Sequence, residues 1–268
     1  MEIRKLTKTE LVCLAVEQGQ IPRYLYKYCT TSSALRILGN HSIWFATSDT
    51  FNDPFDCAMQ ISEQYTEDDW RHYLTSLGVD TATKDKIIND IKANPAEGVR
   101  IIRESIDEVK KKIGIFCLAD RSDNLSLWAH YADEHRGVCL EFDLLADPET
   151  FCIPKKVIYD DTFPVVNYLK DQSMVVEALS QKSKDWRLEG EYRIIKHDVT
   201  GLTEFRPEAL TKVILGLHCS DADAEEIKQS LNPEIYTKAQ LYRTAKRDDK
   251  YEVELKEITQ GHHGMVLG

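Results

Sequence analysis

The order of apolar patterns along the 268 residues predicts an α+β fold: a mixed, mostly antiparallel twisted sheet with flanking helices and a helical insertion. Aromatic residues at every second position in Tyr24-Leu-Tyr-Lys-Tyr28 mark a strand, because side chains alternate between faces along extended backbone. From Glu63 to Lys112 the texture changes to charged, helical periodicity. Elsewhere strand and helix patterns follow one another without regular alternation. A single α+β domain spanning 1–268, with 63–112 inserted into it, accommodates all of this.

In order, residues 6–18 read as a short amphipathic helix stopped by Gly19, and Pro22 releases the chain into the first strand. Thr30 or Thr31 caps a helix carrying Ala34, Leu35, Ile37 and Leu38 that stops at Gly39-Asn40. A second strand, 42–46, empties into the loop Thr47–Asp56. Helices are expected at 68–77, 83–93 and 96–112, with Gly78 and Asn94-Pro95 as breaks. Strands follow at 113–118, 138–142 and 156–159, with a short helix at 125–133 capped by Ser122 or Asp123. One or two helices fill 165–184, and a strand runs from Tyr192 to Ile195. A strand at 213–217, a capped helix at 221–231 and strands at 236–242 and 251–258 complete the sheet. Gln260–Gly268, with His262 and His263, reads as a frayed end.

Composition narrows the function classes. Lys and Arg number 34 against 45 Asp and Glu, a net charge of −11, which repels phosphate backbones and argues against non-specific nucleic-acid binding. The opening Met-Glu-Ile-Arg-Lys-Leu-Thr-Lys lacks an apolar core and no run of eighteen apolar residues occurs, so the expectation is a cytoplasmic protein without a membrane span. Seven cysteines, spread singly, imply reduced thiols rather than disulfides or a zinc site. There is no Gly-rich phosphate loop, no Gly-x-Ser-x-Gly and no His-Glu-x-x-His.

The stretch Asp185–Ile195 concentrates charge where a strand is about to enter the core. On extended backbone Glu189 and Glu191 share one face, Tyr192 and Ile194 take the other, and Arg193 follows on the carboxylate side, able to hold either Glu ionised. Asn52 and Asp53, in Phe51-Asn-Asp-Pro-Phe-Asp56, form either a plain turn or a ligand loop held by the sheet. Trp128 and Tyr131, three apart, fall on one helix face. His130 and His135 lie five apart and do not make a metal pair, so His130 reads as a packed structural residue.

Three blocks together resemble the bacterial family catalogued as domain of unknown function 2971: Leu25-Tyr-Lys-Tyr with Trp44–Asp56, Leu127–Asp143, and Trp186–Ile195. The order of parts is also similar to ADP-ribosyltransferases, which split NAD around a small twisted sheet. That second resemblance implies NAD as substrate, with Lys27 in the early slot where those enzymes carry Arg or His. Glu191 would stabilise the oxocarbenium-like cation, Glu189 would orient an acceptor or water, and Arg193 would keep the pair charged. Tyr28, Trp128 or Tyr131 would stack on nicotinamide, with Lys27 or Arg121 on the pyrophosphate, beside Asn52 and Asp53. The alternatives are a metal-dependent phosphodiesterase or nuclease using Asp53, Asp56, Glu189 and Glu191 as oxygen ligands, or a non-enzymatic sensor or interaction module. The expected partner is a small charged molecule such as a nucleotide.

Overall fold

The computed structural model describes residues 6–258, so the expected frayed end at 260–268 lies outside the described residues. Eight strands form one sheet in the spatial order Val253–Glu257, Gln240–Lys246, Leu210–Leu215, Val138–Asp143, Tyr24–Cys29, Ile113–Ala119, Glu191–His197 and Lys155–Lys156. Every neighbouring pair is antiparallel except Leu210–Leu215 with Gln240–Lys246. The class is α+β, as the mixed order of patterns requires. No helix among the described residues is long and apolar enough to cross a membrane.

Alternation along the strands divides the apolar residues between two faces. Leu25, Phe116, Leu140, Ile194 and Val213 pack beneath the helices Lys8–Glu17, Thr31–Asn40 and Asp221–Ser230, contributed through Val12, Ala34, Leu38 and Ile227. On the opposite face Ile113 and Ile115 meet the helices Glu67–Ser76, Thr81–Ala93 and Pro95–Lys111 through Trp70, Ile91, Ile102 and Ile106. Further along that face, Tyr28, Cys139 and Ile214 meet the short helix Leu125–His130 through Leu127 and Trp128. Between these two clusters lie Glu191, opposite Ala119, and Arg193, opposite Cys117.

The sheet splits at its centre. Tyr24–Cys29 pairs with Val138–Asp143 over six residues, yet meets Ile113–Ala119 at one position, Tyr26 opposite Ala119. Beyond it the two strands diverge. Ile115 exchanges backbone hydrogen bonds with Ala46 instead, and the carbonyl of Cys117 accepts from Lys27 Nζ at 3.1 Å. A side chain thus bridges the gap where a ladder bond would otherwise run, with its ammonium 5.1 Å from the centre of the Phe116 ring.

Several boundaries differ from those read in the sequence. The left-handed residue ending Thr31–Asn40 is His41, and the cap of Leu125–His130 is Asn124, whose Oδ1 accepts from the amides of Ser126 and Leu127. The region 165–184 is less helical than its composition implies: strand Val165–Val166, helix Met174–Ala178 and strand Gln181–Ser183. The strand Gly201–Glu204 pairs with Ser42–Phe45, an element the sequence reading left unassigned. All seven cysteines are free thiols.

Gly114 sits where the backbone of Val199 crosses the strand: a Cβ there would fall 1.9 Å from the Val199 carbonyl oxygen. Gly39, by contrast, has nothing within 4 Å. Gly114→Ala is expected to cost about 2–3 kcal/mol by forcing that backbone apart, and Gly39→Ala to be neutral or stabilising by up to about 1 kcal/mol from helix propensity. Urea denaturation of both variants checks this; equal midpoints would contradict the crossing.

Candidate functional site

The site forms around two cations that burial leaves no option but to pair. Arg193 has no exposed surface. Its Nε donates to Glu191 Oε1 at 2.8 Å, and Nη2 reaches Asp56 Oδ1 and Oδ2, both at 2.8 Å, and Glu191 Oε2 at 3.1 Å. Nη1 donates to the Leu179 carbonyl at 2.7 Å and to Cys57 Sγ at 3.2 Å. Lys182, also buried, lies 2.6 Å from Glu189 Oε2, 3.2 Å from Glu191 Oε2 and 3.4 Å from Asp56 Oδ2, with Trp186 beneath its ammonium at 5.1 Å. Three carboxylates therefore share two cations. Tyr131 adds a hydroxyl that donates to Glu189 Oε1 at 2.8 Å.

The local structure explains why these groups meet. Glu191 and Arg193 share a strand face because the period is two, with Tyr192 and Ile194 turned into the main core as expected. Glu189 is not on that strand. It ends the tight 3-10 turn Lys184–Glu189, and Gly190 between the two acids takes φ +57°, a left-handed conformation that redirects the chain and brings the second carboxylate onto the same lysine. A Cβ at Gly190 would also strike the Asp120 carboxylate at 2.4 Å. Lys182 comes from Gln181–Ser183, held parallel to Ile158–Asp160. The Tyr159 hydroxyl accepts from the Glu191 amide at 2.9 Å.

Electrostatics follow from this geometry. Burial works against ionisation of Glu191, but Arg193 and Lys182 outweigh it and hold the carboxyl at about 2. Burial likewise opposes the charge on Lys182, and Glu191 and Glu189 overcome it, raising its pKa well above the ordinary lysine value. The Cys57 thiol is pushed up to about 12 by burial, which makes it an inert neighbour. Burial raises the Tyr131 phenol, so it stays a donor to Glu189 at neutral pH.

Above this cluster the split in the sheet opens into a cleft of about 890 Å³, within the range that encloses a small ligand. Glu189, Glu191, Lys27, Tyr28, Asn52 and Tyr131 all line it, together with Lys182 and Asp56. Three expected binding residues do not. Trp128 is fully buried, its indole donating to the Ser122 carbonyl at 2.8 Å and its ring edge-on to Tyr28 at 5.2 Å, so it supports the cleft from below and cannot stack on a ligand. Asp53 turns away, accepting from the Phe55 amide at 2.9 Å and from Trp186 Nε1 at 2.8 Å. Arg121 lies outside the lining and faces Asp123 at 3.5 Å. Tyr28 lines the cleft while its hydroxyl is committed to the Arg121 carbonyl and the Asn124 amide. His130 lines the cleft and is exposed rather than packed.

Residues 127–194 match the family model described as protein of unknown function DUF2971. That segment holds Tyr131, Lys182, Glu189, Glu191 and Arg193, so the resemblance drawn from the motifs holds over most of the charged cluster. No curated protein and no solved structure matches the chain.

Since the folded pKa of Glu191 is depressed, its ionisation stabilises the native state above the ordinary carboxylate value, and that stability disappears as pH falls from about 4.5 toward about 2. Glu191→Gln should therefore cost about 3 kcal/mol at pH 7. Urea midpoints of the two proteins should converge between pH 4.5 and 2; a pH-independent gap would contradict the assignment.

Proposed function

We propose that the cleft binds NAD and breaks its nicotinamide–ribose bond, as an ADP-ribosyltransferase-like enzyme or an NAD glycohydrolase. The observation that supports this reading best is the presence of Glu189 and Glu191, both salt-bridged, in the wall of a cleft between two diverging strands. The bond between ribose C1′ and the pyridinium nitrogen breaks with its electron pair leaving on nicotinamide. A cation shared between C1′ and the ring oxygen remains. A fixed carboxylate in a low-dielectric wall stabilises that charge without reorganising as it develops. Glu191 serves this purpose. Glu189, set between Tyr131 and Lys182, orients the water or acceptor that adds to C1′ and loses a proton. Arg193 does not line the cleft and is a positioning residue. Lys27 and Asn52 fit the phosphates and ribose, and Tyr28 or Tyr131 the nicotinamide ring. A cytoplasmic setting fits the seven free thiols.

A second reading, a structural clasp in a sensor or interaction module, is favoured by one observation: both oxygens of Glu191 are already met by buried cations. A metal-dependent hydrolase fits less well. Lys182 Nζ stands within 3.4 Å of all three carboxylates, where a divalent ion would have to sit, and Asp53 is turned elsewhere.

The purified chain should release nicotinamide from NAD, and Glu189→Gln should lower kcat roughly 100-fold while retaining cooperative unfolding. Chromatographic assay of nicotinamide, with melting curves in parallel, checks both. A wild-type protein that neither releases nicotinamide nor gains melting temperature with millimolar NAD, a ligand effect expected of any native-state binder, would leave the clasp as the surviving reading.

A further inference from the structure

The cleft is electrically polarised. In one wall Asp56, Glu189 and Glu191 face Lys182 and Arg193, and each of these side chains is at most 9% exposed. Each carboxylate has a cation partner, but three carboxylates against two cations leave the cluster with a net charge of −1. In that environment a ligand's positive charge is worth more than in water.

The wall formed by the helix Thr31–Asn40 has the opposite character. Arg36 lines the cleft from that helix, and Lys27 bridges the split with its ammonium on the carbonyl of Cys117, the residue opposite Arg193. The Arg36 guanidinium bonds the Ser32 carbonyl and the Ser33 hydroxyl, and no carboxylate among the described residues pairs with it. Trp44 is 60% exposed and Leu202, directly across the strand pair, 65%. The indole lies beside Gly201, where an added Cβ would sit 3.6 Å from the ring, and the φ of +82° there favours glycine. An exposed tryptophan and an arginine without a carboxylate partner among the described residues, both lining the same cleft, make a ready platform for an aromatic base carrying phosphate.

We infer that the cleft selects a ligand with a cationic head and an anionic, aromatic tail, and that it consequently distinguishes oxidised NAD from NADH. This rests on the NAD reading above. The pyridinium of NAD carries a positive charge that balances the net negative charge of the acidic cluster, whereas the dihydropyridine of NADH is neutral. Lys27 and Arg36 take the pyrophosphate, and Trp44 stacks on the adenine.

Titration calorimetry on the full chain tests this with three probes: carba-NAD, which keeps the pyridinium but has no cleavable glycosidic bond, NADH, and ADP-ribose. Carba-NAD should bind at least roughly tenfold more tightly than NADH, and Glu189→Gln should abolish that preference. Trp44→Ala and Arg36→Gln, both at exposed positions, should each weaken ADP-ribose about tenfold. Equal affinity of the wild type for carba-NAD and NADH, a comparison that needs no variant, overturns the polarity. So does unchanged ADP-ribose affinity in Trp44→Ala. If nicotinamide is released while the two dinucleotides bind equally, only this inference fails; if none of the three probes binds, the NAD reading fails with it.

Discussion

A guanidinium taken wholly out of water must have its donors met by the protein, because an unpaired buried charge costs several kcal/mol. Arg193 is met by Asp56 and Cys57 from the loop after Ser42–Phe45, by the Leu179 carbonyl at the end of the helix Met174–Ala178, and by Glu191 two residues earlier on its own strand. Three separate segments, one of them 137 positions away at Asp56, are thereby fixed against one another. Lys182 then has only one place to go, between the carboxylates that Arg193 has already drawn together. Net stability is not the main product of such a cluster, since desolvation consumes much of the Coulomb attraction. Position is.

The same constraint gives the cleft its shape. If Tyr24–Cys29 and Ile113–Ala119 zipped along their whole length, the ladder would run through the space that Lys27, Phe116 and the helix Thr31–Asn40 now border. Instead Ala46 captures Ile115 and Lys27 captures Cys117, so backbone groups on the diverging strand find partners without closing the gap. The ionic cluster supplies part of the lining of the resulting space, and exposed Trp44 and Arg36 supply another part. Burial makes charge in the cluster effective, and exposure at Trp44 and Arg36 leaves an aromatic face and a cation available.

Much of this was legible from local pattern. Period two identified Tyr24–Cys29 and put Glu191 and Arg193 on one face, and helical periodicity located the three helices between 67 and 111 within one or two residues. What was not legible depends on distant partners. Lys182 sits in a three-residue strand with no apolar alternation, and its carboxylates are 7, 9 and 126 positions away. Its cost of burial leaves no mark on neighbouring residues. Helix spacing put Trp128 and Tyr131 on one face but could not say that the first residue would be buried and the second would reach Glu189. In Asn52-Asp-Pro-Phe-Asp56 the turn chemistry was clear, but which aspartate would face the strand was decided by Trp186, which holds Asp53, and Arg193, which holds Asp56. The split in the sheet has no local signature, because each of the two strands is regular on its own.

The convergence of Asp56 and Arg193 is the claim on which the cluster and the cleft both depend, and a double-mutant cycle reads it directly. Asp56→Asn, Arg193→Met and the double variant, compared by urea denaturation at pH 7, should show a coupling energy of about 2 kcal/mol or more, with the double variant less damaged than the sum of its parts. Strict additivity would mean that the two side chains do not meet in the native protein, and the ionic cluster described here would not exist.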